Sequence, residues 1–328
     1  MAVPGALVVI DGSQGEGGGA IVRMALVVSA LTQQSVRITD VRGGTPYPGV
    51  DVEDIALALA LARICDADLR GAESGSDTLV FHPTCRPRAL NGSLALPDGW
   101  ERKPNALVVL TSLAPVLAKA GSWSCMECRG ETYGHASLTY DYVDRIVAPA
   151  WSKMGLFAEP KLLKAAFGRH SEGLVTLEVE PSAIHGLDWQ QRGSLREVWA
   201  TVVTTELPTQ VGERGASHLE RLANSAGLPM RIAVRRPPAD APGAFVTVGA
   251  IYERGAGGAT AIGARGMRME SVAQRAFDDL LRWMETDATV DPFLGDVLLA
   301  PAVLSETPTT FKTNVLTERF LSCVQVVK

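Results

Sequence analysis

The sequence of 328 residues predicts an α+β fold, a core of repeated strand and helix units interrupted by a small α/β domain. Three observations predict it. Apolar runs of strand length alternate with runs of helix length through the first ~180 residues. The succession strand, helix, strand, helix, strand is then met a second time, the mark of an internal structural repeat. After Pro181 the texture changes, and a block of small-domain size stands between the first part and a short tail.

In the first cycle ALVVIDG reads as a strand and AIVRMALVVSALT as a helix opened by a glycine-rich loop. SVRITDV is a strand, VDVEDIALALALARICDA a helix with Ile55, Ala58, Leu59 and Ile64 near one face, and DTLVFHP a strand. The second cycle runs through the helix NALVVLTSLAPVLAKAG, the strand SWSCMEC, the helix YDYVDRIVAPAWSKMG and the strand GLVTLEVEP. Beyond Pro181, LREVWATVVTTE, ASHLERLANSAG, MRIAVRRPP and GAFVTVGAIYE read as strand, helix, strand, strand. ERGAGGATAIGARG is expected to be a glycine-rich turn before the helix MESVAQRAFDDLLRWM. The tail is expected to form the helix VDPFLGDVLLAPAVL, a turn, the helix VLTERFL and a final strand, SCVQVVK. The expected domains are therefore a core over 1–182, an insert over 183–286 and a return to the core over 287–328. Such insertions succeed where chain ends lie close together.

Composition sets the broad class. A hydrophobic share of 46% is ample for a packed core. The net charge of −5 argues against holding nucleic acid by bulk charge, and no DNA partner is expected, but local basic patches stay open. No apolar run reaches the ~20 residues of a membrane span, and MAVPGALVVI lacks the basic start of a signal peptide. Five cysteines, an odd number, fit a reducing cytosol, so a cytoplasmic location is expected. Cys125 and Cys128 form a CxxC pair with no second pair of ligands nearby, so they read as strand residues and no metal site is expected.

The strongest chemical signal is VVIDGSQGEGGGAIVR. Gly15, Gly17 and Ala20 come close to a dinucleotide fingerprint, with Asp40 ending the next strand. A Walker loop would need a lysine followed by Ser or Thr, and none is present. A tight turn without a ligand would not need four glycines, each of which costs conformational entropy on folding. The loop therefore points to a bound anion or a close backbone approach, with the following helix N-terminus supplying amide donors. Arg23 and Arg42 can grip a phosphate bidentately, or be solvated surface charges. The histidines His82, His135, His170, His185 and His218 stand in no nucleophile or metal spacing.

IDGSQGEGGGAIVR resembles the signature of the RNA 3′-terminal phosphate cyclase family. The likeness continues through VRGGTPYPG and GAESGSDTLVFHP and returns at GARGMRMESVAQRA, VDPFLGDVL and KTNVLTERFL, covering nearly the whole chain. It implies a core of repeated βαβαββ units, shared with the enolpyruvyl transferases, and a thioredoxin-like insert. It also implies ATP with Mg2+ as cofactor and RNA 3′ ends as substrate. Members of the family use a histidine near the C-terminus that becomes adenylylated. AMP then passes to the RNA 3′-phosphate, and the neighbouring 2′-hydroxyl attacks that phosphate and displaces AMP to give a 2′,3′-cyclic end.

Carried over residue by residue, the resemblance assigns Glu16, Gly17, Gly18, Arg23 and Arg42 to phosphate or RNA-end binding, and Thr111, Phe293 and Asp296 to an eroded nucleotide site. The nucleophile should stand three residues before a Thr-Asn pair. The pair is Thr313-Asn314, and the position holds Thr310. Thr111 and Val297 stand where glutamines are expected, and Thr45 where a second arginine is expected. A threonine hydroxyl stays protonated at neutral pH and needs a strong base beside it to attack. The expected function is thus a cyclase-like protein that binds RNA 3′ ends or an RNA-processing partner without histidine-adenylate chemistry, in which case no cofactor is needed. The family has such a precedent in a eukaryotic nucleolar member that serves ribosome assembly. The alternative is an active cyclase or phosphotransferase using a displaced nucleophile such as His135 or His170.

Overall fold

A computed structural model of the chain describes residues 7–94, 102–134, 138–168 and 170–328. The first unit consists of β1 (Val8–Asp11), α1 (Gly19–Thr32), β2 (Val36–Thr39), α2 (Val52–Cys65), β3 (Asp68–Arg70) and β4 (Leu79–His82). Its strands pair in the order β1-β2-β4-β3, with β1 and β2 parallel and the others antiparallel. The next unit consists of β5 (Asn91–Ser93), α3 (Ala106–Ala118), β6 (Ser124–Gly130), a helix of α4 (Tyr140–Tyr142), a π-helical turn (Val143–Val147) and α5 (Ala148–Lys153), then β7 (Ala158–Lys164) and β8 (Gly173–Val179). Its order β5-β6-β8-β7 repeats the first pattern, with one parallel pair followed by two antiparallel ones. The chain is a mixed α and β protein, as expected.

After the short β9 (Asp188–Trp189), a third sheet forms from β10 (Leu195–Thr205), β11 (Met230–Arg235), β12 (Gly243–Tyr252) and β13 (Gly255–Ile262), in the order β11-β10-β12-β13. It carries α6 (Thr209–Ser225) and α7 (Met269–Met284) and has its own hydrophobic cluster, in which Val202, Val246, Leu219, Phe277 and Leu280 are buried. The larger cluster joins α1, α2 and α3 to the first two sheets and reaches Leu294 and Leu298 of α8 (Pro292–Leu304). Two further elements complete the described chain, β14 (Thr310–Phe311), paired with β9, and α9 (Glu318–Val327).

Local chemistry explains the helix starts. Asp51 and Asp54 form a reciprocal capping box on α2, and Asn105 accepts from the Leu107 and Val108 amides to open α3. Two expectations are corrected. The stretch GAGGATAI is a strand, β13, and not a turn. Its glycines leave room for large neighbours, since a side chain at Gly257 would meet the Trp283 ring and one at Gly258 would meet Ile146. The stretch SCVQVVK belongs to α9 and not to a strand. Thr317 caps it by accepting from the Phe320 amide, and Cys323, Val324, Val326 and Val327 pack with Ala20 and Met24 of α1. The strand β7 and the short strands β3, β5, β9 and β14 were not anticipated, and β14 falls within SETPTTFKTN, which was expected to be a turn throughout.

Asp291 joins the two clusters. It caps α8 by accepting from the Phe293 and Leu294 amides at 2.8 and 3.0 Å. It also accepts from the Tyr142 hydroxyl at 2.7 Å and from the Gly258 amide of β13 at 2.9 Å. Burial pushes its carboxyl up to about 6, against the pull of those donors. A carboxyl whose pKa is raised on folding loses stability as pH rises from its unfolded value through its folded one. Asp291→Asn removes that dependence. Denaturant midpoints of the two proteins at pH 5 and pH 7.5 are expected to show the variant gaining on the wild type by roughly 1 kcal/mol at the higher pH. An unchanged difference between them would remove the burial argument.

Candidate functional site

The glycine loop leaves β1 and opens α1. Gly15 and Gly17 have φ of +61° and +59°, the left-handed region that a Cβ disfavours. Gly15 lies directly against Ser322 of α9, whose hydroxyl accepts the Glu16 amide at 3.0 Å. Gly18 is the N-cap of α1 and makes no side-chain cap, so the first amides of the helix lack a side-chain partner there.

Beneath the loop sits Asp54, fully buried. Arg42 meets it through Nη2 at 2.7 Å and Nε at 3.2 Å, and Arg23 through Nη1 at 3.0 Å. Arg42 also reaches Asp51 at 3.4 Å. One carboxylate thus orients both arginines. A buried carboxylate is tolerable only when paired in this way. Gly19 makes room for the cluster, since a Cβ there would collide with both guanidinium groups. Of the two arginines, Arg23 alone lines the neighbouring cleft, while Arg42 stays behind it on Asp54.

That cleft, open to solvent, brings together distant stretches of sequence. Arg23, Thr111, Phe293 and Asp296 all line it. Its walls are otherwise largely apolar, with Val27, Val108 and Val297 among them, and Arg319 of α9 enters from the open side. Thr111 is buried and donates its hydroxyl proton to the Leu107 carbonyl, so that proton is committed within α3. Burial pushes the Asp296 carboxyl up; the Thr317 hydroxyl at 2.5 Å and the Arg319 guanidinium oppose that, and Glu16 adds to it. Arg319 spans Glu16 and Asp296 at 3.7 and 3.9 Å, both long for ion pairs. An apolar slot edged by an exposed aromatic ring, with the guanidinium groups of Arg23 and Arg319 in its lining, offers a stacking face and anion donors in one place.

Thr310 is elsewhere. It is exposed on β14, its amide donating to the Leu187 carbonyl at 2.7 Å, and it lines a cleft with Asp287, Lys312 and Thr313 that shares Phe320 with the Arg23 cleft. No described histidine lines that cleft. His82 contacts Ser35, His218 contacts Gln274, and His185 lies against Gly155. His170 stands in the turn before β8, while His135 lies outside the described residues. All five cysteines are free.

Asp54, Arg319 and Ser322 were missed by the sequence reading. Asp54 left a signal, an acid three residues after Asp51 at a helix start, which announces a capping box but not its arginine partners. Arg319 and Ser322 left none, because they reach the loop only through the docking of α9.

The crowding at Gly19 yields a test. Alanine there is worth about 1 kcal/mol to a helix on propensity alone. Gly19→Ala is nevertheless expected to leave stability no higher and to weaken phosphate binding about tenfold, as measured by calorimetric titration with ATP and by urea unfolding. Unchanged affinity with raised stability would show that the arginines need no such space.

The sequence profile of the family described as RNA 3′-terminal phosphate cyclase matches residues 14–328. Among curated relatives, an "RNA 3′-terminal phosphate cyclase" of Gloeothece citriformis is 34% identical over 97% of this chain and 92% of its own length. Proteins of the same name from Methylococcus capsulatus and Thermococcus onnurineus are 33% and 32% identical, over 97% and 89% of this chain and 89% and 85% of theirs. With the glycine loop, its arginines and the cleft already in view, these matches over nearly the whole length show that the chain belongs to the RNA 3′-terminal phosphate cyclase family.

Proposed function

We propose that this protein binds a nucleotide and the phosphorylated 3′ end of RNA at the cleft beside the glycine loop, without passing a nucleotide through a histidine. One observation carries the reading. Arg23, Thr111, Phe293 and Asp296 converge on one cleft, whereas Thr310 lines the cleft on the other side of Phe320, whose lining includes no described histidine. Phosphate recognition survives in Arg23 and the loop amides around Glu16, Gly17 and Gly18. Arg42 acts through Asp54 as a positioning residue. No described histidine lines the cleft of Thr310, whose charged lining residues are Asp287 and Lys312, and an unactivated alcohol is a poor nucleophile. ATP with Mg2+ is the ligand the cleft would take, with Glu16 and Asp296 the carboxylates nearest the phosphates. The chemistry such a ligand would supply is nucleotidyl transfer, for which this chain lacks the usual acceptor.

The same reading takes residues 1–182 and 287–328 as two parts of one core of βαβαββ units, and 183–286 as a thioredoxin-like insert. The equal strand orders of the first two sheets and the separate hydrophobic cluster under the third support it. Five unpaired cysteines support a cytoplasmic setting, where an RNA-processing partner would be met.

Incubation with ATP labelled at the α-phosphate and Mg2+ is expected to leave no covalent label on denatured protein, while titration shows saturable binding. Arg23→Ala is expected to weaken that binding by about 10- to 100-fold, the value of a charge-assisted hydrogen bond of ~1.5–3 kcal/mol. Thr310→Ala is expected to leave it within about twofold. Stoichiometric label on the wild type, or formation of cyclic RNA ends at enzymatic rates, would overturn the reading.

A further inference from the structure

The Arg23 cleft lies between α1, α3, α8 and α9, and its side chains divide by chemistry. Arg23 and Arg319 are the cations in its lining. Away from them the walls are apolar, with Met24 and Val27 from α1, Val108 from α3, and Val297 and Ala300 from α8. The other polar side chains among the described lining residues are Thr111, Ser112, Asp296 and Cys323.

None of these four offers a ligand a strong hydrogen-bond donor. Thr111 donates to the Leu107 carbonyl at 2.7 Å and Ser112 to the Val108 carbonyl at 2.8 Å, so both hydroxyl protons are committed within α3. Asp296 accepts from the Thr317 hydroxyl at 2.5 Å, and as a carboxylate it can only accept. Cys323 is buried, and burial pushes its thiol up to about 12, so it keeps its proton and donates only weakly. A base edge turned to this wall meets hydrocarbon and acceptors. Adenine satisfies an acceptor through its 6-amino group, and guanine through its ring N–H and 2-amino group, so acceptors alone do not separate the two purines.

The ring of Phe293 gives the slot its other means of recognition. It is 40% exposed, and its position is fixed by the Asp291 cap on its amide and by edge-on contact with Tyr142 at 6.3 Å between centroids. A fixed aromatic face stacks on any base, because every base has a π face, and it gains most from the largest ones.

We propose that this slot selects its nucleotide by stacking and not by the base edge, so that it takes purine nucleoside triphosphates, adenine and guanine alike, and takes pyrimidines less well. The proposal rests on the preceding reading, in which phosphate sits at Arg23, and it names the ligand class of that site. Thr111 and Val297 set the specificity by what they lack, since a side-chain amide at either position would offer the base a free donor and an acceptor. The cleft is open to solvent, so edge atoms without a partner stay hydrated in both purines.

The test is calorimetric titration of the full chain, with Mg2+ present, by four probes: ATP, GTP, UTP and inorganic tripolyphosphate. ATP and GTP are expected to bind within about fivefold of each other, UTP about tenfold more weakly, and tripolyphosphate more weakly still. Phe293→Leu is expected to lower the affinity for both purine nucleotides by about tenfold and to leave tripolyphosphate unchanged. Val297→Gln is expected to open a gap of about tenfold between ATP and GTP, the size of one hydrogen bond. Melting temperatures check that the variants fold, and if Val297→Gln does not, the wild-type ratio decides alone. A preference above fivefold for either purine in the wild type would overturn the proposal, as would an unchanged ratio in folded Val297→Gln. Tripolyphosphate binding as tightly as ATP would place the base outside the slot and leave the Arg23 reading standing. Failure of all four probes to bind would remove both.

Discussion

The Asp54 carboxylate is the interaction on which the site depends. It is buried, and in that position a charge is tolerable only while it is paired. Both of its oxygens face guanidinium groups, one from α1 and one from the loop after β2. The same carboxylate accepts the Asp51 amide and so takes part in the cap of α2. A helix start, two arginines and a glycine at position 19 therefore form one arrangement, and no member can change alone. In most sites the phosphate ligand brings the arginines into order. Here an internal acid has already done so, which lowers the entropy cost of binding an anion.

On the proposed reading, the chain above this foundation keeps binding features and lacks a reactive one. The apolar slot, the Phe293 ring and the Arg23 guanidinium remain in one cleft. Thr310, where the resemblance places the family nucleophile, lines the cleft on the other side of Phe320. Losing a nucleophile costs a scaffold little stability, since an exposed residue on a two-residue strand carries almost no packing. Losing Asp54 or Gly19 would disturb the fold itself. If the proposed reading holds, the difference gives a physical reason why binding can outlast chemistry.

The fold was legible where the hydrophobic pattern is regular. The helices α1, α2 and α3 and the strands β6, β8, β10 and β12 follow from periodicity. β13 did not, because glycines chosen to fit the Trp283 ring look in sequence like a turn. α9 did not, because SCVQVVK alternates as a strand does and its helix is decided by contact with α1. The site divides in the same way. The glycine loop, Glu16 and Arg23 could be read from a single stretch. That Arg42 serves Arg23 and not the cleft could not, since it follows from a pairing in space with an acid whose sequence context announces only a helix cap. Arg319 reaches Glu16 across about three hundred residues, a relation no local pattern encodes.

The contact between Ser322 and the glycine loop has a consequence for how the molecule matures. Its hydrogen bond joins positions 306 residues apart, so closing it is among the entropically costliest steps available to the chain. The loop can take its final shape only once the last helix has docked against the first. Competence for ligand should therefore arrive at the end of folding, after the sheets have formed, and a loosened α9 would yield a protein that is largely native in shape yet unable to hold its ligand.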